Sequence, residues 1–152
     1  MAGSETGKPH LSDADMLVRF RESKKRPPCS NTLGMQVAEI SQGGMRTVVD
    51  FVADESFANP TGAIQGGFIA AMLDEAISTN IIIASNVTMT APTLEMKVSY
   101  LAPLFPGPAR VEAKILKFGK TVCFSEARCM DPDGTVVATA TATAAPRPFR
   151  RY

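Results

Sequence analysis

The sequence predicts an α+β domain in which an antiparallel β-sheet packs against one long apolar helix. Apolar and polar residues alternate with a period of two in the runs after residue 93, as they do in strands with one buried face. The stretch 66–84 is almost wholly apolar, which is typical of a buried helix. Gly and Pro turn signals separate the strand-like runs, so a sheet covered on one side is expected.

The N-terminal part predicts a short helix followed by a pair of strands. Ser12 stands before an acidic and apolar run and is typical of a helix N-cap; this helix should end before Pro27. Two strand-like runs follow at 35–40 and 46–52. The segment Gln42-Gly43-Gly44 between them has the composition of a hairpin turn.

The remaining elements follow in the order loop, helix and four strands. A loop at 54–64 leads into the apolar helix, and Pro92 closes the connection to the first of the late strands. Turns are expected at 118–120 and 131–134, where Gly, Pro and Asp cluster. The four strands are expected at 93–100, 110–115, 121–130 and 135–143.

Length and charge limit the class of protein. A chain of 152 residues has room for one domain with a proper core. We expect an N-terminal leader with a short helix at 1–30, the main domain at 31–145 and a basic tail at 146–152. The net charge of +1 gives no support to nucleic-acid binding.

No membrane partner or secretion is expected. The longest candidate for a membrane span, 77–87, is interrupted by Ser, Thr and Asn, and the sequence analysis finds no segment long and apolar enough to cross a bilayer. The first thirty residues contain no apolar signal core. The three cysteines have neither metal nor redox spacing, which indicates free thiols in the cytoplasm.

The only histidine is His10, in the polar leader. A histidine-based metal site, a Ser-His-Asp triad or a Cys-His pair is therefore very hard to build from one chain. We expect an activity that needs neither a metal nor an organic cofactor.

An acidic pair, Asp74 and Glu75, interrupts the apolar helix and is the best functional lead. A buried carboxylate costs on the order of several kcal/mol unless it is paired, neutralised or used in chemistry. Asp74 is the candidate general base or nucleophile, and pairing with an Arg or Lys from a strand is the alternative. Glu75 lies ~100° further round the helix and is a second candidate carboxylate, with a salt bridge to a neighbouring strand as its alternative.

Several motifs, in their order and spacing, resemble the PaaI-like acyl-CoA thioesterases of the hotdog fold. They lie between residues 31 and 145 and comprise Asn59, Gln65-Gly66-Gly67, and the segments 71–74, 97–103 and 116–121. The resemblance implies an antiparallel sheet wrapped around one long central helix. It also implies hydrolysis of acyl-CoA thioesters by homodimers with shared active sites. In related enzymes such dimers often pair into homotetramers.

The two glycines that open the helix suit stabilisation of an oxyanion. Unpaired backbone N–H groups and the positive end of the helix dipole meet there, and glycine lets a carbonyl approach the backbone of Gly66 and Gly67 closely. A simple loop-to-helix junction is the alternative. Gly66 and Asp74 are separated by roughly 12 Å of helix rise, so both cannot touch one carbonyl. We therefore expect the site to combine Gly66 of one subunit with Asp74 of another.

Three further positions carry roles that the resemblance implies. Asn59 matches an asparagine that helps to bind the thioester oxygen, although Asn-Pro is also an ordinary turn initiator. Thr93 matches a small hydroxyl residue that positions the water, and we expect it also to orient Asp74, although a strand can begin with threonine for no such reason. Gln65 stands where many relatives have histidine; it can hydrogen-bond an oxygen but cannot shuttle a proton near neutral pH.

Substrate binding beyond the carbonyl is assigned to residues at the rim. The candidates are Gly67 and Glu75 on the helix, and Lys117, Gly119 and Lys120 at the turn, where the lysines could meet coenzyme A phosphates. Solvated surface charge is the alternative for the lysines. Two other functions stay open: a non-catalytic acyl-CoA-binding module, and an enoyl-CoA hydratase or dehydratase, a class that typically pairs a histidine with an acid.

Overall fold

The computed structural model describes residues 9–43 and 45–149 and confirms the predicted α+β architecture. Three α-helices and one 3₁₀ turn are present: α1 at Asp13–Arg21, α2 at Pro28–Thr32, α3 at Gly66–Ala84 and the turn at Glu55–Phe57. The strands are β1 Gln36–Ser41, β2 Arg46–Ala53, β3 Met89–Thr90, β4 Thr93–Tyr100, β5 Gly107–Phe118, β6 Cys123–Met130, β7 Val136–Ala144 and β8 Arg147–Pro148.

Six of the strands form one antiparallel sheet in the order β1-β2-β5-β6-β7-β4, and β3 pairs with β8 in a separate two-stranded ribbon. The predicted helix 66–84 has the bounds of α3, and each of the six predicted strands overlaps an observed one. The sequence did not predict α2, β3 or β8. Elements of two to five residues are too short for a periodic pattern to show.

The core lies between α3 and the inner face of the sheet. Alternate residues of β5 and β6 are buried, as the period of two predicted. Met72, Leu73 and Ala76 of α3 are fully buried against this face. Alanines dominate the inner face of β7, and their small side chains allow the helix to pack closely on the sheet.

By length and composition α3 is long and apolar enough to cross a membrane, so the prediction that no segment is long and apolar enough was wrong. The helix has 19 residues, and its best window has a mean hydropathy of 1.4. Half of that window is buried, because the helix is the core element that the sheet covers. Of the polar residues that argued against a span, Thr79 and Asn80 are buried inside the protein.

Asn80 shows how one of these polar residues is satisfied. It is 1% exposed, and its Nδ2 donates to the carbonyls of Met45 (2.9 Å) and Ala113 (3.2 Å). Its Oδ1 accepts from the Thr47 hydroxyl at 2.9 Å. These bonds fix α3 against the β1–β2 hairpin, whose Gly44 lies outside the described residues. A fully hydrogen-bonded buried amide of this kind is structural.

The two edges of the sheet differ. At β1, Arg21 donates to the carbonyls of Val37 (3.1 Å) and Ala38 (2.9 Å), and Arg26 donates to that of Met35 (2.9 Å). Helix α1 packs over the same strand and buries Met16 completely. At the opposite edge β4 pairs with β7 alone within the part of the chain that the structure describes.

The cysteines give a simple test of this packing. Cys29 is exposed, whereas Cys123 and Cys129 are buried and none of the three forms a disulfide. Burial raises the pKa of the Cys129 thiol to about 12 and also raises that of Cys123. Since the thiolate is the reactive form, we expect Cys29 alone to react rapidly with Ellman's reagent at pH 8.

Mass spectrometry of the labelled protein identifies the modified cysteine. The Cys29→Ser variant should lose the fast phase, and denaturant should expose the two buried thiols. Rapid labelling of Cys123 or Cys129 in the native protein would contradict the described core.

Candidate active site

Asp74 and Thr93 are in direct contact. Asp74 lies on α3, half-buried, and faces the first residue of β4. The Thr93 hydroxyl donates to Asp74 Oδ1 at 2.6 Å. No Arg or Lys in residues 9–43 and 45–149 lies within ion-pair distance of Asp74, in contrast to the strand pairing considered as the alternative. This carboxylate is therefore oriented by a neutral hydroxyl.

Glu75 points to another part of the molecule. Its Oε1 accepts from the hydroxyl of Ser30, a buried residue of α2, at 2.5 Å. It lines a small cavity of about 140 Å³ between α3 and the N-terminal segment, together with Phe20, Arg26 and Met35. The two neighbouring carboxylates diverge because adjacent helical positions lie ~100° apart. The role of Glu75 in substrate binding stays a prediction.

The first turn of α3 leaves a backbone donor available. Gln65 is the N-cap, and its Oε1 accepts from the Gly67 N–H at 2.7 Å. Within the described residues, the Gly66 N–H donates to no acceptor. Gly66 therefore offers a free N–H at the positive end of a long helix, whereas the Gly67 N–H is already used.

The capping role of Gln65 was not foreseen from the sequence. The sequence analysis gave Gln65 a hydrogen bond to a substrate oxygen. The structure uses the side-chain oxygen to cap the helix, which leaves Nε2 as the group that can donate to a ligand. Glutamine is not among the residues that commonly cap helices, so the sequence carried no signal for this role.

Asn59 stabilises the loop that precedes α3. Its Oδ1 accepts from the backbone N–H (2.9 Å) and hydroxyl (2.6 Å) of Thr61, so the turn interpretation is realised. The side-chain nitrogen donates to no other described residue. Asn59 also lines an open groove of about 400 Å³ together with Gly66, Ile69 and Leu101. The turn therefore places an amide donor near the free Gly66 N–H.

Tyr100 completes this groove and was not selected as a site residue from the sequence. It is the last residue of β4, and its hydroxyl donates to the Gly66 carbonyl at 2.7 Å. Its place in the motif 97–103 was the available signal, but the contact depends on how α3 crosses the sheet. The predicted site residues thus form two groups, one at Gly66 and one at Asp74, roughly 12 Å apart along the helix.

The turn between β5 and β6 contains the remaining predicted residues. Lys117 and Lys120 are exposed. Gly119 donates its N–H to the Val122 carbonyl at 3.0 Å, and a Cβ at this position would lie 2.5 Å from the same oxygen. The turn itself therefore requires glycine, whether or not a substrate binds there.

The sheet register places this turn at the Asp74 end of the site. Thr93 pairs with Ala144, which pairs with Cys123, which pairs in turn with Phe118. These four residues form one row across the sheet, with a length of roughly 14 Å. The lysines flanking Phe118 are therefore at the same end of the strands as Thr93. Phosphate binding by these lysines stays a prediction.

A metal centre has no candidate in residues 9–43 and 45–149, where no three His, Cys, Asp or Glu side chains are grouped closely enough to hold an ion. The groups described above are a carboxylate, a hydroxyl, side-chain amides and a backbone N–H.

The chain is similar to known proteins in both sequence and fold. The sequence model described as the thioesterase superfamily matches residues 61–138. A protein of Saccharolobus solfataricus, named as a candidate esterase, is 31% identical over 118 residues, which are 77% of this chain and 81% of that protein.

Solved structures support the same fold. A candidate thioesterase of Ralstonia eutropha, described as related to phenylacetic acid degradation, is 30% identical with a TM-score of 0.78, over 86% of this chain and 98% of that chain. The PaaI protein of the Escherichia coli phenylacetic acid degradation operon is 17% identical with a TM-score of 0.69, over 77% of this chain and 86% of that one. The predicted hotdog fold is thereby confirmed.

Proposed function

Because the chain belongs to the thioesterase superfamily, we propose that it is a hydrolase that cleaves acyl-CoA thioesters to the free acid and coenzyme A. The observation that carries this proposal is the hydrogen bond of 2.6 Å from the Thr93 hydroxyl to Asp74 Oδ1. Asp74 lies on the same helix that presents a free N–H at Gly66. These are a candidate base and a candidate oxyanion donor, the two parts that thioester hydrolysis needs.

In the proposed reaction the thioester carbonyl oxygen accepts from the Gly66 N–H. The side-chain amides of Asn59 and Gln65 are further donors, and the helix dipole favours the negative charge that develops on this oxygen. Asp74, held by Thr93, takes a proton from the water that attacks the carbonyl carbon. The C–S bond then breaks, and the proton passes to the leaving thiolate. Direct attack by Asp74 through an acyl-enzyme is the alternative form.

We propose that two copies of the chain share each site, because of how α3 is tied to β4. Asp74 bonds Thr93 at the start of this edge strand, and Gly66 bonds Tyr100 at its end. If two β4 strands pair antiparallel about their midpoint, Thr93 of one copy lies opposite Tyr100 of the other. That pairing brings Asp74 of one copy towards Gly66 of the other.

Exposed apolar side chains at this edge support the dimer. Leu94 and Leu101 are 57% and 62% exposed in the single chain. An unpaired edge strand with apolar residues is a ready site for pairing with another strand. We further propose that such dimers pair into tetramers, as the family resemblance implies. We also propose a cytoplasmic location, because the cysteines are free.

A panel of short aliphatic, long aliphatic and aryl-acetyl CoA thioesters tests the proposal. We expect hydrolysis of at least one member with kcat/KM of about 10⁴ M⁻¹s⁻¹ or more. Thiol release should be followed with the Cys29→Ser variant, because the exposed Cys29 would consume the thiol reagent. Saturable binding without thiol release would support the non-catalytic binding module. Hydration of an enoyl-CoA would support the hydratase alternative.

A further inference from the structure

Tyr100 occupies a position from which it can organise the carbonyl site without touching the substrate carbonyl. Building on the proposed function, we propose that Tyr100 is a positioning residue: it holds the peptide group between Gly66 and Gly67 and thereby fixes the two neighbouring donors to the thioester oxygen, the Gly66 N–H and the Gln65 side chain. The inference rests on two hydrogen bonds of that peptide group and on the position of the tyrosine ring beside Gly66.

The peptide group between Gly66 and Gly67 is held at both ends. Its carbonyl accepts from the Tyr100 hydroxyl at 2.7 Å, and its N–H donates to Gln65 Oε1, also at 2.7 Å. A helix carbonyl ordinarily accepts only from the N–H four residues later, so the tyrosine adds a second donor. Hydrogen bonds at both ends of one amide fix its plane and polarise one another.

This peptide group controls both nearby donors. The Gly66 N–H lies on the same residue as the bound carbonyl; with that carbonyl held, the backbone of Gly66 cannot rearrange freely, so its N–H keeps the direction set by the start of the helix. The Gln65 side chain is anchored through Oε1, which determines where Nε2 can donate. Donors that are fixed before the reaction stabilise a developing oxyanion without a cost of reorganisation.

The ring of Tyr100 adds a steric constraint. A Cβ built on Gly66 would lie 3.0 Å from Cζ and 3.1 Å from the hydroxyl oxygen of Tyr100. The ring thus occupies the space that a side chain at Gly66 would fill, and it forms one wall of the groove lined by Asn59 and Leu101.

A role in the stability of the fold does not explain this arrangement. Tyr100 is 52% exposed at the end of an edge strand and is not part of the buried core. Its hydroxyl makes no other hydrogen bond within residues 9–43 and 45–149. Replacement by Phe keeps the ring and removes this one bond.

The test compares two substrate analogues that differ only in the carbonyl oxygen. For an octanoyl chain these are 2-oxononyl-CoA, a ketone, and nonyl-CoA, a thioether of the same length. In Tyr100→Phe we expect the affinity for the ketone to fall about 5- to 10-fold and that for the thioether to change by less than about 2-fold. With octanoyl-CoA, kcat/KM should fall about 10-fold, because the hydrogen bond to the carbonyl oxygen is weakened in the bound substrate as well as in the transition state.

A double-mutant cycle tests whether Tyr100 and Gln65 act on the same peptide group. Gln65→Ala releases the Gly67 N–H, and we expect Tyr100→Phe to cost at most about 2-fold more in kcat/KM in that background. Thr88→Val, which removes a hydroxyl that donates to the Ser85 carbonyl at 2.6 Å beyond the end of α3, is the matched control and should leave kcat and both affinities unchanged.

Each alternative result is distinct. Equal weakening of both analogues would make Tyr100 a wall of the groove only, and unchanged kcat and affinities would remove it from the site. Fully additive losses with Gln65→Ala would overturn the shared-peptide argument.

If the wild-type protein binds the ketone but releases no thiol, the proposed hydrolysis fails while the comparison of analogues still tests Tyr100. Wild-type protein that shows no preference for the ketone overturns the inference, because it would have no carbonyl site to position.

Discussion

Asp74→Asn is expected to keep the fold and to lower kcat for the best acyl-CoA substrate by ~100-fold or more. The amide is nearly isosteric with the carboxylate, and its oxygen can still accept the 2.6 Å hydrogen bond from Thr93. It can neither take a proton from water nor attack a carbonyl, so the loss should appear in kcat. Thermal unfolding of the variant checks that the fold is kept.

The matched control is Glu126→Gln, the same chemical change at a residue on the outer face of β6. It should leave kcat within about 2-fold of the wild-type value, because surface substitutions away from the site have small effects. Near wild-type turnover in Asp74→Asn would contradict the assignment. In that case Glu75→Gln would show whether the neighbouring carboxylate carries the reaction.

Two inactive variants are expected to complement each other if the site is shared. Gly66→Val should abolish the carbonyl site, because a side chain there would enter the space held by the Tyr100 ring, 3.0 Å away. Asp74→Asn removes the base. In a mixed dimer one site receives both wild-type residues and the other receives both defects, so about half of the wild-type activity per dimer is expected.

The experiment requires co-expression with two different affinity tags and purification of the species that carries both. The ring of Tyr100 is half-exposed and can move aside, which favours a folded Gly66→Val protein; Gly66→Ala is a milder second variant. As controls, each variant is co-expressed with a differently tagged copy of itself and purified in the same way; these dimers should be inactive. A mixed dimer that is folded but inactive would place Gly66 and Asp74 in one subunit's site and would contradict the argument from the spacing along α3.

The sequence was sufficient for the long helix and for the contact between Asp74 and Thr93. The bounds of α3 follow from a mostly apolar run between a Gly-rich start and polar residues at its end, which are local signals. The alternation within β4 to β7 is equally local. The Asp74–Thr93 contact came from a family resemblance, because no local rule brings residues nineteen positions apart into contact.

Other contacts depend on the tertiary arrangement and could not be predicted. The bonds from Tyr100 to Gly66 and from Ser30 to Glu75 join elements whose relative positions are fixed only when the sheet forms around α3. The ribbon of β3 and β8 pairs segments far apart in sequence, and two-residue strands have no period to read. The composition of α3 alone does not distinguish a core helix from a membrane span.

The arginines that bind the carbonyls of β1 have a consequence for assembly. Arg21 and Arg26 occupy acceptors that a neighbouring strand would need, so growth of the sheet by strand addition is hindered on that side. In the six-stranded sheet, as far as the structure describes it, β4 is then the edge that remains for pairing. If two copies pair through β4 as proposed, the contact between identical edges uses up both and closes after two copies. Such a dimer would cover its apolar edge without growing into open-ended fibres.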